Sequence, residues 1–204
     1  MTHHENNKGH LEVICGSMFS GKSEELIRRL KRAEIARKNV IAFKHALDDR
    51  KAIAHLTSHN GTTIKAFAID KPEMILKLTH ENIDIVGIDE IQFFPTEIIG
   101  CIIALIDQGK EVIVSGLDLD FRGVPFGCIP GLLSIADKIT KLTAICIKCG
   151  KDAYYTQRLV DGKPAKISDP LILIGAEDCY QARCRDCFSI DKMPTWYRSE
   201  SLNK

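Results

Sequence analysis

A chain of 204 residues has room for one full hydrophobic core and a small accessory unit, and excludes two large domains. Hydrophobic residues make up 45% and charged residues 27%, the balance of a globular chain rather than a disordered or fibrous one. With 28 Lys+Arg against 27 Asp+Glu the net charge is +1, which supplies no global field for nucleic acid or an anionic membrane, so any anion site must be a local cluster.

Residues 1–8 read as a polar, flexible leader in which His3 and His4 are solvated. The start lacks the apolar region of a secretory signal, and no run reaches the roughly 18 apolar residues of a membrane span, so a cytoplasmic protein is expected. Leu11 to Cys15 is a short apolar run ending at Gly16, and after Lys22 the residues Leu26, Ile27, Leu30 and Ala33 recur on one helical face. This is strand, glycine loop, helix. Val40 to Phe43, Ile83 to Ile88 and Glu111 to Ser115 read as further strands buried on both faces. Pro72 to Leu78 and Thr96 to Ile106 read as helices between them, with proline near the first turn, where a missing N–H costs little. The alternation predicts an α/β fold with a doubly wound, mainly parallel sheet over residues 9–142.

After Leu142 the character changes to cysteine pairs, Tyr154 and Tyr155, a polar Asp161-Gly162-Lys163-Pro164 and the apolar run Leu171 to Ile174. Residues 143–188 are expected to form a small lobe with a hairpin or long loop, and 189–204 a tail in which Trp196 and Tyr197 are able to pack back on the body.

Gly16-Ser17-Met18-Phe19-Ser20-Gly21-Lys22-Ser23 fits G-x-x-x-x-G-K-S/T between a predicted strand and a predicted helix, the context that a phosphate loop (P-loop) requires. Glycines let the backbone wrap a phosphate so that N–H groups and the positive helix end face its oxygens. Lys22 then neutralises the β and γ phosphates of ATP, and the Ser23 hydroxyl ligates Mg²⁺. Such a loop needs a carboxylate on the neighbouring strand for the metal, and Asp89 ends the predicted strand Ile83 to Ile88. Glu90 follows at once. By strand alternation it points to the other side, toward the acceptor, and is the candidate general base. Asp48, Asp49 and Arg50 follow the second strand at the edge where ligands of open α/β sheets collect; Asp48 and Arg50 join Asp89 and Gln92 as expected ATP or magnesium contacts.

Of eight cysteines, Cys146, Cys149, Cys184 and Cys187 form two C-x-x-C pairs. Two chelating knuckles suit a tetrahedral Zn²⁺ that is structural, because four protein ligands leave no open position; a redox pair or an iron–sulfur cluster is the competing reading. Cys15, Cys101, Cys128 and Cys179 are left as free thiols. The long stretch between Cys149 and Cys184 must leave the metal and return to it.

Taken together these residues resemble the family of zinc-containing (type II) thymidine kinases, over about Gly9 to Phe188. The resemblance rests on the phosphate loop, Asp89-Glu90-Ile91-Gln92-Phe93-Phe94, Gly116-Leu117-Asp118-Leu119-Asp120-Phe121 with Pro125-Phe126-Gly127, Tyr155-Thr156-Gln157-Arg158, Ile174-Gly175-Ala176-Glu177-Asp178-Cys179-Tyr180 and the cysteine pairs. It implies transfer of the ATP γ-phosphoryl group to the 5′-hydroxyl of thymidine, and of deoxyuridine, with Glu90 as base and magnesium near Ser23 and Asp89. It also implies a base pocket of Met18, Phe93, Leu117, Phe121, Phe126, Thr156 and Tyr180, and a zinc-anchored lasso that holds the thymine edge through backbone groups near Leu173, Ile174 and Gly175. Relatives commonly read Gly-Gly-Ala where this chain has Gly175-Ala176-Glu177, and some place a histidine where Cys187 stands. Family members are commonly homotetramers. Partners beyond the nucleoside, whether nucleic acid or membrane, are not expected. Two other classes share part of the pattern: a nucleic-acid-stimulated ATPase, in which Glu90 would orient water, and a nucleotide-sensing protein without catalysis. The near-zero net charge opposes the first, since a motor tracking phosphates presents a basic groove.

Overall fold

Alternation along the central strands decides which helix covers which face. In β1 (Leu11–Gly16), Leu11, Val13 and Cys15 join one buried cluster and Ile14 joins another. The same split recurs in β2 (Val40–His45), β5 (Ile85–Asp89) and β6 (Glu111–Gly116), where Phe43, Ile88 and Val114 face one side and Ala42, Ile85 and Ile113 the other. Helix α1 (Lys22–Ile35) lays Leu26, Ile27 and Leu30 on the second cluster. Helices α2 (Glu73–Leu78), α3 (Ile98–Asp107) and α4 (Ile129–Ile135) cover the first, through Ile75, through Ile98, Ile102 and Leu105, and through Ile129 and Leu132. The computed structural model describes residues 8–47, 53–57, 61, 63–172 and 179–192. Among these, no helix is long and apolar enough to cross a membrane.

With β3 (Ile53–Thr57), β4 (Thr63–Ile69) and β7 (Lys138–Leu142), the central sheet has seven strands in the order β3-β4-β2-β5-β6-β1-β7. All pairings are parallel except β3 with β4. The α/β fold with a mostly parallel sheet is therefore as expected, but one detail is corrected. Asp89 does not stand on the strand next to the phosphate loop, because β6 lies between β5 and β1. The carboxylate and the loop meet across the carboxyl edge of an intervening strand, and that strand brings Ser115 and the 117–128 loop between them.

Several elements carry weak local signals. Strands β3 and β4 contain His55 and Lys65, and β7 reads Lys-Ile-Thr-Lys-Leu with much of its length exposed, so neither resembles a strand buried on both faces. Helix α4 opens on Ile-Pro-Gly, where Pro130 is harmless in the first turn but lowers the helical signal. Strand β5 starts later than Ile83, because Ile83 closes a turn onto the His80 carbonyl at 3.1 Å.

After β7 the chain forms two small sheets. Strands β8 (Ala144–Ile145) and β9 (Asp152–Ala153) make a hairpin, and β10 (Tyr155–Val160) pairs antiparallel with β11 (Lys163–Pro164) and β12 (Tyr180–Arg183). This unit is tied directly to the phosphate loop. The Ser17 hydroxyl donates to the Ala153 carbonyl at 3.3 Å, and the Met18 N–H donates to the Thr156 hydroxyl at 3.0 Å.

Candidate functional site

The loop from Gly16 to Ser23 adopts backbone that only part of the amino-acid alphabet tolerates. Gly16 has φ 150° and lies so near β7 that a Cβ there would come within 2.3 Å of the Leu142 carbonyl oxygen; Gly21, at φ 82°, caps α1. Inside the loop, the Ser17 carbonyl accepts from the Ser20 hydroxyl at 2.8 Å and from Lys22 Nζ at 2.9 Å. The N-terminal end of α1, with its unpaired N–H groups and positive dipole end, thus opens beside a lysine folded back over the loop. Lys22 is buried, and burial lowers its pKa; the charges of Glu90, Asp89 and Asp118 oppose that shift. An anion added beside it restores the charge that burial disfavours.

Those opposing charges sit at the ends of β5 and β6. Asp89 is buried and accepts from the Ser115 hydroxyl and from the Glu90 N–H at 3.0 Å. Glu90 stands outside the strand, with φ 53° and ψ 40°, at the head of a 3-10 turn over Ile91–Phe93. A left-handed turn rather than strand alternation therefore sets the direction of its side chain. Its carboxylate accepts from Gln92 Nε2 at 2.5 Å, while Gln92 Oε1 accepts the Leu117 N–H at 3.0 Å. Both ends of this buried amide are engaged, and Gly116 makes room for it, since a Cβ there would lie 2.5 Å from Oε1. Gln92, read from sequence as a nucleotide contact, clamps Glu90 to the end of β6.

Asp118, within the Gly116-to-Phe121 motif, is a buried carboxylate near the loop that no local pattern singles out. Its Oδ2 pairs with Lys141 Nζ at 2.8 Å, and its Oδ1 is buried without a hydrogen-bond partner. Burial first, and then the Asp118 charge, push the Cys15 thiol up to about 11, so this cysteine is an inert core residue beneath the loop.

The aromatic residues expected around a base stand on the 3-10 turn, in the 117–128 loop and on β12. Phe93 meets Phe126 edge-on with centroids 5.7 Å apart, and His45 approaches Phe93 at 6.2 Å. Leu117 is bound to Gln92, and Met18 to Thr156. Phe121 is buried under Arg158, whose guanidinium carbon lies 3.6 Å from the ring centroid, and Tyr180 pairs with Arg158 across β10 and β12. Asp48, Asp49, Arg50, Leu173, Ile174 and Gly175 lie outside the described residues, as do His3, His4, Trp196 and Tyr197.

The four paired cysteines converge. Cys146 to Gly150 turns back on itself, with the Gly150 N–H on the Cys146 carbonyl at 2.8 Å, and the second knuckle repeats this with Phe188 N–H on the Cys184 carbonyl at 3.0 Å. One sulfur from each of the four lies within 4.8 Å of the others, and Cys149 Sγ is 3.5 Å from Cys184 Sγ. Sulfurs about 2.3 Å from a tetrahedral zinc lie roughly 3.8 Å apart, so donor set and spacing fit that ion. Burial raises the Cys146 thiol, but backbone N–H groups from Cys184, Lys148 and Cys149 outweigh it and bring it down to about 6; Cys187, hydrogen-bonded to Cys149, is pushed up to about 12. Four thiolates at once need a cation to compensate them.

A family model described as thymidine kinase matches residues 9–188.

Proposed function

We propose, for a chain that belongs to the thymidine kinase family and is a phosphotransferase with an alcohol acceptor, that Glu90 is the group that takes the proton from the 5′-hydroxyl of thymidine. The observation that carries this reading is that Gln92 holds the Glu90 carboxylate just past the end of β5, at the sheet edge where the phosphate loop after β1 also opens. ATP is the phosphoryl donor used by the family. Its phosphates fit the loop from Gly16 to Ser23, with Ser17, Met18, Phe19 and Ser20 presenting backbone and Lys22 neutralising β and γ oxygens. As the O5′–H bond breaks, the proton passes to Glu90; the O5′–Pγ bond forms and the bond from Pγ to the bridging β–γ oxygen breaks, leaving ADP. Gln92 holds the Glu90 carboxylate in place.

Ser23 and Asp89 are the residues that would hold Mg²⁺, with Asp48 and Arg50 as further contacts to phosphate or metal. Bound there, the ion would neutralise charge on the β and γ oxygens. The nucleoside base fits among Met18, Phe93, Leu117, Phe121, Phe126, Thr156 and Tyr180, with the backbone at Leu173, Ile174 and Gly175 reading its edge. Deoxyuridine, which differs by one methyl group, belongs to the same substrate class, since a single methyl changes discrimination by only about 10–200-fold. Zinc held by Cys146, Cys149, Cys184 and Cys187 is structural, fixing the two ends of the excursion that carries Tyr180. A cytoplasmic homotetramer that binds neither nucleic acid nor membrane completes the reading.

The test is to incubate the protein with Mg·ATP and thymidine, deoxyuridine, deoxycytidine or single-stranded DNA, measuring nucleoside monophosphate and free phosphate together. Thymidine monophosphate formed in step with ADP is expected. Phosphate release stimulated by DNA, with no monophosphate, would replace this reading with that of an ATPase.

A further inference from the structure

Arg158 has no role in the chemistry above, yet it is one of the largest side chains buried to within 2% of full enclosure. A buried guanidinium is costly unless paired, and this one is only partly so. One terminal nitrogen donates to the Pro170 carbonyl at 2.5 Å, the other lies 3.9 Å from an Asp169 carboxylate oxygen, and Nε has no hydrogen-bond partner. What the side chain does make is a close stack on Phe121, 3.6 Å from guanidinium carbon to ring centroid. Planar stacking of this kind is available to arginine and not to lysine.

The register sets this stack beside residues expected in the nucleoside pocket. Thr156 and Arg158 are two apart on β10 and so face the same side; Tyr180 lies opposite Arg158 on β12, on that side as well. Thr156 also accepts a hydrogen bond from the phosphate loop through Met18. Tyr155 and Gln157 turn the other way, toward a stacked Phe188 at 4.6 Å and the Ser189 N–H at 2.9 Å. Arg158 is therefore the third member of a row whose other two members, Thr156 and Tyr180, belong to the expected base pocket.

We propose that Arg158 is a positioning residue for nucleoside binding: its guanidinium, oriented by the Pro170 carbonyl, backs the buried Phe121 ring and fixes it in the wall of the base pocket. An aromatic wall of this kind suits a flat base, since every base has a π face, and the pyrimidine comes from the thymidine reading above. The same hydrogen bond ties that ring to Pro170, a few residues before the segment assigned to base reading. Its side chain meets Phe121, Pro170 and Asp169 rather than the phosphate loop or Glu90, so the effect expected of it is on nucleoside affinity. This rests on the thymidine pocket proposed above.

The experiment uses full-length protein carrying Arg158→Met, Arg158→Lys, Phe121→Leu and the double change Phe121→Leu with Arg158→Met. Steady-state KM for thymidine and for ATP, zinc content and unfolding temperature are measured for each. Expected is a rise in KM for thymidine of roughly ten-fold or more in both Arg158 variants and in Phe121→Leu, with KM for ATP within about twofold. Because Arg158 acts through Phe121, the double variant should be little worse than the worse single one. Arg158→Lys keeps a charge and similar length, so the measurement stands if Arg158→Met folds poorly. A merely structural arginine would lower the unfolding temperature and shift both KM values together, or would tolerate lysine; either result overturns the proposal. So does strict additivity. If Phe121→Leu leaves KM for thymidine unchanged while the wild type still makes the monophosphate, the pocket assignment fails and takes the proposal with it, although the phosphotransferase reading survives.

Discussion

Replacing Gln92 by methionine tests whether the clamp on Glu90 is what makes that carboxylate competent. Methionine has nearly the same length and fits the space beside Gly116, so the change removes two hydrogen bonds with little change in packing. The Leu117 N–H, at 3.0 Å from its acceptor in the native protein, is left without one, which costs about 1–3 kcal/mol of stability. The bond to the Glu90 carboxylate is charge-assisted and worth about 1.5–3 kcal/mol. Glu90 sits at φ 53°, a backbone conformation uncommon for a residue with a side chain, so the clamp is one of the contacts that hold its carboxylate in this direction. If roughly half to all of the lost bond is felt in the transition state, turnover falls about 4- to 150-fold. Gln92→Glu separates the two halves of the clamp. It keeps an acceptor for the Leu117 N–H but sets a second buried carboxylate against Glu90, and that like-charge pair should cost stability as well as activity. The assay is monophosphate formation at saturating ATP and thymidine, beside thermal unfolding. A Gln92→Met enzyme with kcat within about twofold of wild type would refute the reasoning.

Glu90→Gln should retain ATP binding and lose about 10²–10⁴ in turnover, and an unchanged kcat would remove Glu90 from the role of base. Cys149→Ser should lose bound zinc and unfold at a lower temperature, because metal binding is coupled to folding; elemental analysis that finds no zinc in the native protein would reject the site. Helix α1 should confer an acid-sensitive share of stability. Hydrogen bonding to Arg28 leads the effects that hold the Glu25 carboxyl at about 2, against an ordinary 4.5. A depressed folded pKa stabilises above the unfolded value and is lost as pH falls from about 4.5 toward 2, so urea midpoints should drop over that window and Glu25→Gln should flatten the drop. An identical pH profile in the variant would contradict this.

What the sequence by itself determined is chemistry carried by residues close together in the chain. The phosphate loop is legible because Gly16, Gly21, Lys22 and Ser23 must follow one another for a backbone to wrap phosphate, and each knuckle because two cysteines three apart must turn on one ion. The central strands β1, β2, β5 and β6 are legible because burial on both faces leaves continuous apolar runs. The tertiary structure decided everything that depends on which distant segments meet. Strand order is one case: apolar runs do not say who pairs with whom, so the insertion of β6 between the phosphate loop and Asp89 emerges only in the folded sheet. The exposed β7 and the hairpin partners β3 and β4 are held by neighbours rather than by their own pattern. The role of Gln92 is another, since nothing local tells a nucleotide contact from a side chain whose two ends reach Glu90 and the end of β6. Arg158 is the last, a charged residue on a short strand that becomes part of a buried aromatic stack only because Phe121 and Pro170 arrive from elsewhere in the chain.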